Sequence, residues 1–238
     1  MKALAFDIYG DFGHFKKFYT TSSPLTFSFP PPPTVCGMLG AIIGVDKSEY
    51  LNVFSHKSCK IAIRILSPVK KIRMGINHIN TKGNYWIPVK KGKHEARTQI
   101  RTEFLKDPAY RIYVCHNDKS VFDKLVDHVR EHKTVYTLSL GLSELLADFR
   151  YVGLWEIEEG RSTEGEIATV IPMSAVEEYG IRFEEGKRYF KEKVSVDMDQ
   201  ERIVERYEDV LFEAQGKPVY AQTKVYWEVE NGERIVFF

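Results

Sequence analysis

The residue types best suited to chemistry lie close together near the N-terminus, at residues 10–19, with the sequence GDFGHFKKFY. His14 could act as a general acid or base, while Lys16 or Lys17 could stabilise negative charge that develops at a phosphorus centre. The same cations alternate with aromatic rings such as Tyr19, a pattern that suits phosphate neutralisation and base stacking. The segment therefore indicates nucleic-acid binding, and a loop that merely covers the edge of the core is the alternative.

A strand must position this segment, because residues 2–9 alternate between apolar and other side chains. Phe12, Phe15 and Phe18 then recur at every third position. This spacing predicts that the three phenylalanines pack on the core edge. His14, Lys16, Lys17 and Tyr19 remain as the candidate contacts of this loop.

Four consecutive prolines, residues 30–33, precede a predicted helix. Proline favours an extended chain, so we expect a stiff approach and an N-cap at Thr34. Gly44 is predicted to end the helix. Apolar side chains recur on one side with helical spacing, at Val35, Met38, Leu39, Ile42 and Ile43.

Two glycines, Gly37 and Gly40, lie inside this helix, where each costs about 1 kcal/mol relative to alanine. A helix that accepts this cost needs a bare backbone on the glycine side. One explanation is tight packing of the helix on a sheet. The other is close approach of a ligand backbone, such as an RNA phosphate chain, and it makes both glycines candidate RNA-binding residues.

Charge is strongly segregated along the chain, although the formal net charge is only +1. Residues 68–106 contain ten Lys or Arg and two Glu, a net charge of +8. Residues 156–215 contain seventeen Asp or Glu and eight Lys or Arg, a net charge of −9. A basic segment beside an acidic one indicates that one face binds a polyanion, and solvated surface charge is the simpler alternative.

The basic segment itself has the pattern of an extended β-hairpin, with strands predicted at residues 69–79 and 97–104. We call residues 69–106 the arm. Its cations are the largest group of candidate RNA contacts: Lys70, Lys71, Arg73, Lys90, Lys91, Arg97 and Arg101.

The order of predicted elements is strand, helix, strand, arm, strand, helix, strand, which is typical of an α+β, ferredoxin-like βαββαβ domain. This domain is predicted to span residues 1–157. A polar linker is predicted at residues 158–166, and residues 158–238 are predicted to form a small β-rich C-terminal subdomain, with short strands and turn signals.

Composition excludes several classes of protein. No apolar run is long enough to cross a bilayer, and acidic residues interrupt the N-terminus before a signal peptide could form, so we expect a cytoplasmic protein without membrane contact. The three cysteines are far apart and are predicted to be buried, reduced thiols. The histidines show no ligand spacing, and we predict neither a metal nor a cofactor.

Three segments together resemble a known family. They are GDFGHFKK at residues 10–17, SSPLTFSFPPPPTVCGMLGAIIG at residues 22–44 and LGLSELLADFRYVG at residues 140–153. They resemble the Cas-five family of CRISPR-associated proteins, which belongs to the RAMP superfamily. The resemblance covers about the first 155 residues and implies an RRM-related domain in which the arm is the family's thumb.

The resemblance implies a place in the type I interference complex, Cascade. Related subunits cap the 5′ handle of the crRNA and contact the adjacent backbone subunit, of the Cas-seven family. The implied partners are therefore crRNA, this backbone subunit and the large subunit, with target DNA reached only through the complex.

One branch of the family, in type I-C systems, is a metal-independent endoribonuclease that cuts the crRNA precursor at the repeat. In this chain, His14, Lys16 and Lys17 would carry that reaction. The catalytic branch has a tyrosine before the helix, where this sequence has Phe27. We therefore predict a non-catalytic RNA-binding subunit, with the endoribonuclease and a purely structural bridging subunit as alternatives.

Overall fold

A computed structural model describes residues 1–20, 22–79 and 97–238. The arm cations Lys90 and Lys91 lie outside these residues. The described residues form three α-helices and thirteen strands. In chain order they are β1 (Lys2–Tyr9), β2 (Phe12–Gly13), α1 (Pro32–Ile43), α2 (Tyr50–Val53), β3 (Cys59–Ile65), β4 (Lys71–Ile79), β5 (Arg97–Lys106), β6 (Ala109–His116), α3 (Lys119–Arg130), β7 (Asp148–Ile167), β8 (Ile171–Pro172), β9 (Val176–Arg182), β10 (Tyr189–Met198), β11 (Val204–Glu213), β12 (Val219–Val229) and β13 (Arg234–Ile235).

The first half of the chain has the predicted alternation of strands and helices. Strands β3, β6, β1 and β7 are neighbours in that order and all pair antiparallel. Helix α1 connects β1 to β3, and α3 connects β6 to β7. Both helices contribute to one apolar core with the sheet, in which Leu4, Phe6 and Ile8 of β1 are buried. The mixed α+β class is therefore confirmed.

Local signals set the ends of the two long helices. Asp118 caps α3, because its carboxylate accepts hydrogen bonds from the backbone N–H groups of Ser120 and Val121. Helix α1 begins at Pro32, so the predicted N-cap at Thr34 is wrong. Proline fits the first helical positions because their N–H groups need no partner within the helix. Gly44 ends α1 in the left-handed region, with φ 76° and ψ 34°, as predicted.

The predicted polar linker at residues 158–166 is wrong, because these residues continue β7. They pair with β12, so the central sheet grows to seven strands in the order β3-β6-β1-β7-β13-β12-β9. Gly160 and Gly165 suggested a loop, but they make room for side chains that cross the strand. A Cβ at Gly160 would collide with the ring of Tyr226, and one at Gly165 would collide with Arg234.

A second sheet, β10-β11-β8, closes the core on the side of α1. Val194, Val210 and Phe212 of this sheet are buried in the same core as β1, and the ring of Phe212 lies 5.6 Å from that of Phe29. Residues 158–238 are rich in strands, as predicted, but β7 runs through the predicted boundary at residue 157. The division into two domains stays a prediction.

Two further findings concern the cysteines and membrane-spanning helices. Cys36, Cys59 and Cys115 are free and buried, as predicted. No helix in the part of the chain that the structure describes is long and apolar enough to span a membrane.

Candidate nucleic-acid interface

The arm and the N-terminal loop form one surface, because a three-stranded sheet, β2-β5-β4, joins them. The described part of the arm pairs antiparallel from Lys71 opposite Leu105 to Ile79 opposite Arg97. Strand β2 of the loop adds to its base, with Phe12 opposite Lys106. The loop therefore lies beside the base of the arm, although the two are far apart in the sequence.

The arm has one basic face and one apolar face. Residues opposite each other in an antiparallel ladder point to the same side, so the register assigns each side chain to a face. The basic face carries Lys71, Arg73, Arg97, Arg101, Asn77, Gln99 and Glu103, together with the buried Leu105 and the exposed Ile79. The opposite face carries Ile72, Met74, Ile76 and Ile100, which are half-buried. The apolar face was missed, although Ile72, Met74 and Ile76 show the period of two that would have revealed it.

Three predicted arm cations present their charge to solvent. Arg97 and Arg101 are exposed, and the side chain of Arg73 is 61% exposed although its Nε lies 3.6 Å from Glu103 Oε2. Gln99 fills the space over Gly75, the residue opposite Arg101. This face therefore keeps an excess of positive charge, and it can neutralise phosphates.

Two other predicted cations are held by an internal carboxylate, Glu192 of β10. Its Oε1 accepts from Lys17 Nζ at 3.0 Å and from Ser28 Oγ at 3.1 Å, and Lys71 Nζ lies 3.5 Å away. We call these four residues the Glu192 cluster. Lys71 Nζ also donates to the carbonyl of Thr26 at 3.0 Å.

The Glu192 cluster changes the interpretation of Lys17 and Lys71. Burial alone would lower the pKa of Lys17, but the nearby carboxylate of Glu192 raises it overall, so the ammonium form is favoured. Its side chain is largely buried, and its charge is already balanced. The structure thus gives Lys17 and Lys71 a structural contact that ties the loop and the arm to the second sheet. No local pattern reveals Glu192, because it lies 175 residues after Lys17.

His14 lies in the interior rather than at the surface. It is 3% exposed, and its Nδ1 donates to the backbone carbonyl of Glu103 at 2.7 Å. Its ring also contacts Phe104, with centroids 5.6 Å apart. A general base must reach the proton that it removes, so this position disfavours His14 as a catalytic residue or an RNA contact. Phe27 is buried as well.

The remaining residues of the loop differ in how far they are exposed to solvent. Lys16 is exposed, and its backbone bridges to Thr26. Tyr19 is exposed as well. Phe15 is buried as predicted. Phe18 is half exposed, and its ring centroid lies 6.5 Å from that of the buried Phe27, so it packs at the edge of the core as predicted. Lys70, at the base of the arm, is also exposed.

The glycines of α1 face another helix rather than a sheet. A Cβ at Gly40 would lie 2.9 Å from Tyr50 Cβ of α2, so only glycine fits without a shift. Gly37 also faces Tyr50, but at an ordinary distance of 3.7 Å. It lines a cleft of about 310 Å³ that Thr34 and Ser139 also line. The packing explanation therefore accounts for Gly40, and Gly37 lies at the edge of an open space.

Comparison with solved structures finds proteins with a similar fold. The chain is similar to "Crystal structure of a CRISPR protein from Archaeoglobus fulgidus", with 15% identity over 98% of this chain and 97% of that chain and a TM-score of 0.61. It is also similar to a chain of "CRISPR RNA-guided surveillance complex", with 13% identity over 92% of this chain and 91% of that chain and a TM-score of 0.54. At these identities the likeness shows the fold alone. No curated protein matches.

The sequence gives a more specific match. A family model described as "CRISPR-associated protein (Cas_Cas5)" covers residues 3–226, which includes the loop, α1, the arm and all of the second sheet. The chain therefore belongs to the Cas5 family of CRISPR-associated proteins, the Cas-five family that its sequence resembles.

Proposed function

We propose that this chain is a non-catalytic crRNA-binding subunit of a type I CRISPR interference complex, Cascade. In this role it caps the 5′ handle of the crRNA and contacts the adjacent Cas-seven family backbone subunit. The observation that carries the proposal is the basic face of the arm, where Arg73, Arg97 and Arg101 lie on one side of a two-stranded ladder with Glu103. Family membership supports the assignment to a CRISPR system.

The two faces of the arm suit the two kinds of contact that this role requires. Guanidinium groups bind phosphates in bidentate geometry and remain charged at any physiological pH. The exposed arginines therefore suit an RNA backbone. The apolar row of Ile72, Met74 and Ile76 suits a protein neighbour, because half-buried apolar side chains gain when a partner removes them from water.

The geometry disfavours the endoribonuclease alternative. His14, Lys16 and Lys17 do not converge on a common space, since His14 is buried, Lys16 is exposed and Lys17 binds Glu192. Incubation of the purified chain with repeat RNA in EDTA tests this directly. We expect no specific cleavage. Specific cleavage by the unmodified chain that is absent from a His14→Ala variant would support the endoribonuclease alternative instead.

Salt-dependent RNA binding tests the role of the arm. Each phosphate that a protein neutralises on single-stranded RNA adds about 0.7 to the slope of log K against log salt. Replacing Arg73, Arg97 and Arg101 by Gln should therefore reduce this slope by about 2 with handle RNA. The matched control replaces Lys124, Lys133 and Arg161, three exposed cations outside the arm, by Gln.

Comparison of the two variants distinguishes RNA binding by the arm from a general effect of positive charge. We expect the arm variant to lose slope and affinity while the control variant keeps both. Equal slopes for the arm variant and the unmodified chain would contradict the proposal. Co-purification of the chain with its neighbouring gene products, followed by sequencing of the bound RNA, tests assembly, and a complex that retained crRNA without this subunit would also contradict it.

A further inference from the structure

Three aromatic rings cluster on the surface beside the Glu192 cluster. Phe18 lies at the centre, with its ring centroid 5.1 Å from that of Tyr19 and 5.0 Å from that of Tyr207. Tyr207 belongs to β11, so the fold brings together residues that are far apart in the sequence. We call Phe18, Tyr19 and Tyr207 the aromatic cluster.

The aromatic cluster is open to solvent. Phe18 is 51% exposed, Tyr19 is 60% exposed and Tyr207 is 40% exposed. Aromatic side chains gain most from burial, and contiguous exposed apolar groups on a protein surface mark sites of interaction. The rings contact one another edge-on or tilted, with interplanar angles of 88° and 50°. The three rings therefore do not cover one another face to face.

Two exposed cations lie near the aromatic cluster. Lys193 Nζ of β10 is 5.6 Å from the centre of the Tyr207 ring, and Lys16 is the exposed neighbour of Lys17 in the loop. Lys17 Nζ is 5.9 Å from the centre of the Tyr19 ring, but Glu192 balances its charge. Positive charge beside exposed rings favours a ligand that is both anionic and planar, which describes single-stranded nucleic acid better than an apolar protein surface.

The aromatic cluster also adjoins the base of the arm. Lys17 joins the two, because it contacts the Tyr19 ring and binds Glu192, which Lys71 of β4 approaches at 3.5 Å. We propose that the aromatic cluster is a stacking site for unpaired bases of the crRNA. This proposal rests on the proposed function and deepens it, since the arm would hold phosphates while the rings hold bases.

Fluorescence of a labelled RNA tests the stacking. The probe is a single-stranded handle RNA that carries 2-aminopurine at successive positions, bound to the full chain. We expect quenching of 2-aminopurine at one or two positions, and loss of that quenching in Tyr19→Leu and Tyr207→Leu variants. We also expect each Leu variant to bind about tenfold more weakly or worse, with an unchanged salt slope, because a stacked base carries no charge.

Three controls distinguish a loss of stacking from other causes of weaker binding. Tyr19→Phe and Tyr207→Phe preserve the ring and should retain quenching and affinity. Phe183→Leu removes an exposed ring that contacts Tyr189 elsewhere, and it should have no effect. Thermal unfolding of every variant shows whether a loss of binding reflects a loss of folding, and the Leu substitutions keep apolar volume at both positions.

Two results would contradict the stacking site without contradicting the role of the arm in RNA binding. One is wild-type affinity and quenching in the Leu variants while the Arg73, Arg97 and Arg101 variant binds weakly. The other is intact RNA binding in the Leu variants combined with loss of a neighbouring subunit from the complex, which would identify a protein interface. Wild-type binding by the arm variant would instead contradict the proposed function.

Discussion

The arm and helix α1 were both predicted to contact RNA, and the structure separates them. The arm places Arg97 and Arg101 on an exposed face, whereas α1 turns Gly40 towards Tyr50 of α2. The difference reflects what each signal measures. A one-sided excess of cations must face solvent or a partner, because burying unpaired charge costs too much free energy. A helical glycine reports only that something lies close, and here the neighbour is another helix.

The strongest test of this contrast removes the carboxylate that anchors the base of the arm. Glu192→Ala leaves Lys17 without its partner in a largely buried position. Since breaking a buried pair from one side is costly, we expect the free energy of unfolding to fall by about 3 kcal/mol in denaturant titrations. Glu205→Ala, at an exposed position of β11, is the matched control and should change it by less than about 0.5 kcal/mol. Similar values for both variants would show that the arm is not anchored through Glu192.

A smaller effect is expected at the contact between α1 and α2. Alanine at Gly40 gains about 1 kcal/mol of helix propensity, but its Cβ would lie 2.9 Å from Tyr50 Cβ. Because overpacking a well-filled contact costs about 1–3 kcal/mol, we expect a net loss of stability of about 1 kcal/mol. Chemical denaturation measures the loss, and the RNA affinity of the folded variant should stay unchanged. A variant as stable as the unmodified chain would mean that Tyr50 is free to move.

Gly37→Ala should have a smaller effect of opposite sign. Its Cβ would meet the Tyr50 ring at 3.7 Å, an ordinary contact, so most of the helix-propensity gain should remain. We expect the free energy of unfolding to rise by about 0.5–1 kcal/mol, with unchanged affinity for handle RNA. A tenfold loss of RNA affinity would break the contrast, because it would show that RNA enters the cleft beside Gly37.

Local sequence patterns were sufficient for much of the fold. The bounds of β1, the end of α1 at Gly44 and the pairing of β4 with β5 follow from alternation, helix-capping chemistry and strand patterns. These features depend on residues that are close in the chain. The linker prediction failed because polar residues with two glycines, Gly160 and Gly165, are typical of a loop. Here the glycines lie in a strand, where the missing Cβ leaves space for Tyr226 and Arg234 of other strands.

The candidate site was less predictable for the same reason. Charge segregation located the arm, because segregation is a property of composition alone. It did not show which cations are already paired, since Glu192 reaches Lys17 and Lys71 only in the folded chain. Likewise, the spacing placed Phe18 at the edge of the core, beside Phe27, but it did not show that Tyr207 lies on its other side.

The two lysines of the loop provide the finest test, because they are adjacent and differ in their surroundings. Lys16 is exposed, whereas the side chain of Lys17 is largely buried against Glu192. Lys16→Gln should therefore change the free energy of unfolding by less than about 0.5 kcal/mol, and lower RNA affinity a few-fold through the loss of one phosphate contact. Lys17→Gln should do the reverse, with a clear loss of stability and little effect on the salt slope. Denaturant and salt titrations of both variants measure this, and equal behaviour would mean that the Glu192 cluster does not distinguish structural cations from those that bind RNA.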